Sequence, residues 1–231
     1  MSNLEGKKAA GRAAAARVAS GMKVGMGTGS TAVWAIRRVG ERLASGEIHD
    51  VIAVATSSQS EMECWKLGIP LRSMNVPVIN GKLDLTIDGA DEVDTNRNLT
   101  KGAGGALLME KIAAYSSDAM IVVVDDTKLV ENLGVVLPVP LEVLSPARVP
   151  VMRALEVLGG RPEVRMAKRK MGAVVTDNGN IIVDVRFSQP IDPVEMETQL
   201  GRIPGVLGNG LFTQVHPIVI VGHGDGTIEE I

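Results

Sequence analysis

Two short runs without a polar side chain constrain this chain most: Val51-Ile-Ala-Val-Ala55 and Ala119-Met-Ile-Val-Val-Val124. A strand with one wet face alternates apolar and polar residues, so an unbroken apolar run of this length marks a strand buried on both faces, as in a parallel sheet. Each run ends in a polar loop, Thr56-Ser-Ser-Gln-Ser60 and Asp125-Asp-Thr-Lys128. Gly21–Met26 and Leu83–Ile87 read as further strands. Helical stripes lie between them: Ala9, Ala10, Ala13, Ala14 and Val18 over 4–20, Ala32, Ala35, Ile36, Val39 and Leu43, then 61–67 and about 105–116. Alternating strands and helices predict an α/β fold, a doubly wound and mostly parallel sheet whose ligand loops follow the strand C-termini.

The pattern changes near 135. A Pro-punctuated strand over 135–143 leads to a helix over 146–158 that Gly159-Gly160 ends. Strands around 162–176 and 181–187 flank the hairpin signal Asp177-Asn-Gly-Asn180. A helix with Pro193 at its start follows, then a strand over 207–214. The order β-α-β-β-α-β predicts a small α+β, ferredoxin-like domain. The expected organisation is therefore an α/β catalytic domain over 1–134 plus 207–231, with the small domain over 135–206. His216–Val221 reads as a last strand rejoining the main sheet.

Composition removes several function classes. A formal net charge of −3 offers no electrostatic footprint for nucleic acid or an anionic membrane. Aromatics at 2% leave almost nothing for bases to stack on. The one cysteine, Cys64, excludes an intramolecular disulfide and a cysteine-based zinc site, and its helical setting suits a buried thiol. No apolar run reaches spanning length and the N-terminus lacks a signal-peptide core, so a cytoplasmic location is expected.

Gly27-Thr-Gly-Ser-Thr31 sits between a strand and a helix start. Outward N–H groups, the helix dipole and three hydroxyls make it a phosphate cradle, with a plain N-capped turn as the alternative. It is no dinucleotide fingerprint: Ser30 stands where a third glycine belongs, and no Gly-Lys-Ser/Thr follows for a P-loop.

Thr86-Ile-Asp-Gly-Ala-Asp-Glu-Val-Asp94 carries four carboxylates and is followed by Lys101-Gly-Ala-Gly-Gly-Ala-Leu-Leu-Met-Glu-Lys111. A calcium or magnesium loop is one reading, but the EF-hand spacing is missing and Lys101 makes a poor neighbour for a cation. The other reading is metal-free acid–base chemistry. Neighbouring carboxylates push their pKa values apart, and partial burial of Glu110 among Ala106, Leu107, Leu108 and Met109 would raise its pKa. Lys101 and the N–H groups of residues 102, 104 and 105 are suited to a developing oxyanion. Together these suit proton abstraction beside a carbonyl in a sugar phosphate. The run Arg165-Met-Ala-Lys168-Arg169-Lys170 reads as a solvated loop.

At these residues the chain resembles the ribose-5-phosphate isomerase A family. The matching motifs are Gly25-Met-Gly-Thr-Gly-Ser-Thr-Ala32, Asp88-Gly-Ala-Asp91, Lys101–Lys111, Gly159-Gly-Arg-Pro-Glu163, Val175-Thr-Asp-Asn-Gly-Asn180 and Ile203-Pro-Gly-Val206, in order across nearly the whole chain. The resemblance implies interconversion of D-ribose 5-phosphate and D-ribulose 5-phosphate without cofactor or metal, by a homodimer or homotetramer. It implies that Glu110 moves the proton between C1 and C2. Asp88, with Asp91 beside it, would serve ring opening and the oxygen-bound protons, and Lys101 would stabilise the enediolate. Substrate contacts are implied for Lys7, Thr28, Gly29, Ser30, Thr31, Gly89, Ala90, Gly102, Ala103, Gly104 and Lys128. Two positions depart from the family pattern: Ala103 stands for a usual glycine and Met109 for a usual basic residue. Rival readings on a similar sheet are a sugar-phosphate deaminase or lactonase, a CoA-transferase-like enzyme, and a sugar-phosphate sensor domain.

Overall fold

The computed structural model describes residues 3–231. In chain order the first elements are α1 (Leu4–Ala15), β1 (Lys23–Met26), α2 (Ala32–Ala44), β2 (Ile52–Ala55), α3 (Ser58–Lys66) and β3 (Leu83–Asp88). Next come β4 (Glu92–Val93), β5 (Leu99–Thr100), α4 (Leu107–Tyr115), β6 (Ser117–Asp125), β7 (Val139–Val143), α5 (Arg148–Val157) and β8 (Gly160–Val164). The last are β9 (Ile181–Phe187), α6 (Pro193–Gly201), β10 (Val206–Asn209), β11 (Leu211–Phe212), β12 (Ile218–Gly222) and β13 (Ile228–Glu230). The chain forms two compact units: Met1–Ala90, Ile112–Lys128 and Val215–Ile231, then Asp91–Lys111 with Leu129–Gln214. These divisions fall at other points than 134 and 207, and one of them passes through α4.

The first unit holds a six-stranded sheet in the order β13-β12-β6-β3-β1-β2. Five strands are parallel and β13 is an antiparallel edge. Residues 120–125 of β6 are all buried, so both faces of that strand are covered, as the apolar run implied. Ala10, Ala14, Ala35, Ile36 and Val39 of α1 and α2 pack with Val24, Met26, Ile121, Val123 and Ile220 in one core cluster. Alanine and glycine bring α1 and α2 close together; a Cβ on Gly11 would come within 2.6 Å of the Trp34 side chain. The alanine pattern suggested a helix to residue 20, but α1 stops at Ala15. The buried Arg42 guanidinium takes the carbonyls of Ala15 and Val18 at 2.5 and 2.8 Å, which satisfies the helix end there.

Taken by parallel strands, the order is second, first, third, fourth, fifth. The connection from β1 runs to β2 on one side and the next returns past β1 to β3 on the other, so the C-terminal ends of β1 and β3 mark the switch point at which such sheets bind ligands. After these strands come Gly27–Thr31 and, beyond Asp88 at the end of β3, Gly89–Ala90.

The second unit holds two antiparallel sheets. Strands β7, β8, β9 and β10 run in the order β10-β7-β9-β8. With α5 and α6 between them this is the split βαβ arrangement that the element order predicted. Its core contains Val139, Leu141, Val143, Val151, Leu155, Val183, Val185 and Leu200. Glu142 is wholly buried in β7, and one carboxylate oxygen accepts from Thr176, Asn178 and Asn180 at 2.8, 3.0 and 2.8 Å. That pins the Thr176–Asn180 turn, where Gly179 takes a φ of 83°. The expected strand over 207–214 is in fact two. Val206–Asn209 joins the four-stranded sheet, Gly210 breaks the run, and Leu211–Phe212 enters the three-stranded sheet β11-β5-β4.

Candidate active site

In the first unit, the loop after β1 is held against β3. Gly27 N–H donates to the Ile87 carbonyl at 2.9 Å, one step past the Met26–Ile87 register. The next amide, Thr28 N–H, donates to Asp88 Oδ1 at 3.0 Å, and Gly89 N–H donates to the same oxygen at 2.7 Å. Asp88 has no exposed surface. Only glycine fits at 27, because a Cβ there would lie 2.5 Å from Asp88 Cα. The Thr28 hydroxyl meets the loop after β2, at 2.9 Å from Thr56 Oγ1 and 2.6 Å from Ser57 Oγ. Gly29, at φ 115°, donates its N–H to Gln59 Oε1 at 3.1 Å. Thr31 is the N-cap of α2 without a side-chain cap bond, and no acid lies in the first turn of that helix. The positive end of the α2 dipole is therefore not offset locally.

Lys7 sits in the first turns of α1 yet is not simply solvated. Its Nζ donates to Ser30 Oγ at 3.0 Å and lies 3.7 Å from Asp125 Oδ2 at the end of β6. Asp125 also accepts from Thr127 N–H at 3.1 Å and from the Thr127 hydroxyl. Lys128 follows, half-buried, at the end of a 3-10 turn over Asp126–Lys128. So Lys7, Ser30 and Asp125 meet, and Thr28 meets Asp88. Gly89 and Ala90 are half-buried just beyond.

In the second unit, the other three carboxylates of the acidic stretch, Asp91, Glu92 and Asp94, do not form one cluster. Glu92 is buried and accepts from the Thr100 hydroxyl, Gly134 N–H and Leu137 N–H at 2.8, 2.9 and 3.0 Å. Asp94 closes its own turn, accepting from the N–H groups of Asn96 and Asn98 at 2.8 Å each. These two are structural. Asp91 differs: its Oδ2 accepts from Ala103 N–H at 2.8 Å, within the glycine-rich loop. Among the described residues no group of three or more His, Cys, Asp or Glu side chains is placed to hold a metal ion.

Lys101 and Glu110 form the other part of the second unit's set. They are 2% and 5% exposed, and Lys101 Nζ lies 3.3 Å from Glu110 Oε2. The Lys101 backbone N–H donates to the Gly210 carbonyl at 2.8 Å, and Gly210 N–H donates to the Pro140 carbonyl at 2.7 Å. Gly210 admits no side chain, since a Cβ would meet the Lys101 carbonyl at 2.4 Å. Glu110 is in the first turn of α4, where a carboxylate suits the dipole. The next residue, Lys111, anchors that turn. Its Nζ reaches Glu197 Oε1, the Leu211 carbonyl and Asn209 Oδ1 at 2.6, 2.6 and 3.2 Å. Burial pushes the Lys111 ammonium below its ordinary pKa, against the pull of the Glu197 carboxylate. The Phe212 ring lies 5.6 Å from Lys101 Nζ and 4.8 Å from Lys111 Nζ.

Between Lys101 and α4 the loop turns through Gly102 and Gly105, at φ 109° and 80°. Ala103 and Gly104 are exposed. Here the sequence reading needs one correction. Arg165 does not belong with the solvated Lys168, Arg169 and Lys170. Its guanidinium pairs with both oxygens of Asp184 and donates to the carbonyls of Gly102 and Ala103 at 2.9 and 3.0 Å. Sequence offered no signal for this, because the acceptors are backbone groups far away along the chain.

The chain also has close relatives among known proteins. The family model described as ribose 5-phosphate isomerase A (phosphoriboisomerase A) matches residues 52–226. The ribose-5-phosphate isomerase A of Treponema denticola is 46% identical over 217 residues, covering 93% of this chain and 91% of that protein. That of Thermosynechococcus vestitus is 48% identical over 228 residues, covering 97% and 95%. Among solved structures, a ribose 5-phosphate isomerase A from Methanocaldococcus jannaschii superposes with a TM-score of 0.93 at 40% identity, over 100% of this chain and 99% of that one. A D-ribose-5-phosphate isomerase in complex with phospho-erythronic acid does so with a TM-score of 0.92 at 42% identity, over 98% and 97%.

Proposed function

The chain belongs to the ribose 5-phosphate isomerase A family, and we propose that it interconverts D-ribose 5-phosphate and D-ribulose 5-phosphate by metal-free acid–base chemistry in the pentose phosphate pathway. The observation that carries this reading is the buried Lys101–Glu110 pair at 3.3 Å. A carboxylate beside a fixed ammonium is what abstraction of a carbon-bound proton requires, because the base and the charge that receives the oxyanion are held together. The ligand of one similar structure, phospho-erythronic acid, is a phosphorylated sugar acid. It pairs a carboxylate with a phosphate much as an enediolate intermediate pairs an enolate with one.

In this reading the 5-phosphate is taken by Lys7, by Thr28, Gly29, Ser30 and Thr31 at the α2 N-terminus, and by Lys128. The supporting features are the α2 dipole, with no acid in its first turn, and the Lys7–Ser30 contact. Gly89, Ala90, Gly102, Ala103 and Gly104 line the sugar with backbone groups. In the open-chain aldose, the Glu110 carboxylate takes the C2 proton. The C–H electron pair forms the C1–C2 double bond, and the carbonyl pair moves onto O1. The resulting enediolate is stabilised by the Lys101 ammonium. Asp88, with Asp91 beside it, transfers a proton from O2 to O1, and Glu110 returns its proton to C1 to give the ketose. Atoms and charge balance, so no cofactor enters. The chain joins the two residue sets directly at Asp88-Gly-Ala-Asp91. We further infer a homodimer or homotetramer working in the cytoplasm, on the strength of the family resemblance.

The test is direct: formation of ribulose 5-phosphate from ribose 5-phosphate by the purified protein, in excess chelator. Absence of turnover would overturn the reading.

A further inference from the structure

Glycine-rich loops present N–H donors well only if something holds their peptide planes, because glycine itself gives the backbone more freedom than any other residue. Here the loop after Lys101 is held by two side chains, Arg165 and Asp91. In a trans peptide, the carbonyl of one residue and the N–H of the next lie in one plane and point in opposite directions. The plane between Gly102 and Ala103 is gripped at both ends: its carbonyl takes Arg165 Nη1 at 2.9 Å and its N–H takes Asp91 Oδ2 at 2.8 Å. The next plane is gripped at its carbonyl, Ala103 O, by the same Arg165 Nη1 at 3.0 Å. Its N–H, on the exposed Gly104, is thereby turned the other way.

The arginine is itself fixed. Its backbone N–H donates to the Ile182 carbonyl at 2.9 Å, and its carbonyl accepts from Val174 N–H at 2.8 Å. Its guanidinium forks onto Asp184, with Nε to Oδ2 at 2.8 Å and Nη2 to Oδ1 at 2.5 Å. The two side chains are 18% and 20% exposed, so the pair is largely shielded from water. Asp184 lies within β9, so the clamp transmits the rigidity of the four-stranded sheet to the loop. The planar fork is essential, since the three N–H donors of an ammonium could not hold both Asp184 oxygens and two carbonyls together.

We propose that Arg165 is a positioning residue for the isomerase: by holding the Gly102 and Ala103 carbonyls it aims the Gly104 N–H at substrate and sets the orientation of Asp91. The inference rests on the isomerase reading and adds to it a residue that touches neither substrate nor reacting atoms.

Arg165→Ala is the decisive variant, measured by steady-state kinetics with and without guanidinium ion, and by amide hydrogen exchange at Ala103. Misplaced donors cost turnover more than affinity, so kcat falls by about 10- to 100-fold while KM moves less than about threefold. Guanidinium at millimolar concentration restores part of the lost kcat, and the Ala103 amide exchanges on the order of tenfold faster. A purely structural arginine would give neither the rescue nor the kcat-selective loss. Unchanged kcat, or a loss that guanidinium leaves untouched in a folded variant, overturns the proposal. Should Arg165→Ala fail to fold, Arg165→Lys decides: kcat must still fall at near-wild-type melting temperature, and wild-type kcat there refutes the clamp. If the wild-type protein itself is inert on ribose 5-phosphate, the isomerase reading fails, and faster or unchanged Ala103 exchange still judges whether Arg165 orders the loop.

Discussion

Replacing Gly27 by alanine tests the switch-point geometry with one methyl group. The added Cβ would stand 2.2 Å from Asp88 Oδ1 and 2.5 Å from Asp88 Cα. The side-chain oxygen can rotate away, but the Cα cannot. Ordinary contact begins at 3.4 Å, so β1 and β3 must separate locally by 3.4 − 2.5 = 0.9 Å. Applied along the 3.0 Å bond from Thr28 N–H to Asp88, that shift takes it to about 3.9 Å, beyond hydrogen-bonding range. Overpacking of this kind costs about 2 kcal/mol, which for a chain of this size lowers Tm by roughly 4–8 °C. Turnover suffers more, because Asp88 and Thr28 lose their relative placement: a misplacement of ~1 Å costs about 100-fold in kcat. The assay pairs ribose 5-phosphate isomerisation with thermal melting. Gly21→Ala is the control. Gly21 needs a left-handed φ, 81°, which Gly27 does not, and nothing lies within 4 Å of its Cβ position. That variant should lose about 1–2 kcal/mol of stability with kcat unchanged. Gly27→Ala with kcat within twofold of wild type, or Gly21→Ala with an equal loss of kcat, would refute the argument that the glycine exists to seat the loop on Asp88.

Three further outcomes are expected. Glu110→Gln removes the base but keeps its shape, so kcat drops by several powers of ten, on the order of 10³ or more, with little change in KM; near-normal turnover would remove Glu110 from its role. Thorough chelation leaves wild-type turnover intact, and a loss restored by added divalent cation would replace the metal-free mechanism. Burial pushes the Cys64 thiol up to about 12 from 9.0, with Glu63 adding to the rise. The unfolded chain therefore releases that proton first, and the folded state loses up to ~1.4 kcal/mol of stability per pH unit as pH rises from about 9 toward about 12. Cys64→Ala should flatten the alkaline limb of a denaturation series; an identical alkaline limb in both proteins would show that the thiol is not the source.

The parts of the fold readable from sequence are those with a period or an unbroken apolar run. Val51–Ala55 and Ala119–Val124 announced buried strands, and the element order after 135 announced the split βαβ sheet. Strands β4, β5 and β11 have two residues each, too few to carry any period, so pairing rather than pattern makes them. The break at Gly210 is invisible for the same reason: its cause is the close approach of Lys101 and Pro140, contacts distant in sequence. The candidate site shows a similar division. The Gly27–Thr31 loop follows a strand and Asp88 ends one, and their chemistry could be read locally. That Glu92 and Asp94 are structural depends on which N–H groups reach them, including those of Gly134 and Leu137 about forty residues later. Charge density alone therefore suggested a convergence of four acids that hydrogen bonding divides.

Gly210 also bears on how far such a chain could be reduced. Its carbonyl receives the Lys101 amide and its own amide is received by Pro140 near the start of β7. The backbone of the lysine is thus one hydrogen bond from a residue that is one hydrogen bond from the ferredoxin-like sheet. Lys111, next to Glu110, is likewise tied to α6 and β11. A shortened enzyme made by excising that sheet would forfeit the supports of both Lys101 and the α4 turn at once. The small lobe is in this sense not a module that was added to a self-sufficient catalyst. It is part of the frame on which the catalyst is strung, and attempts at miniaturisation would have to rebuild it.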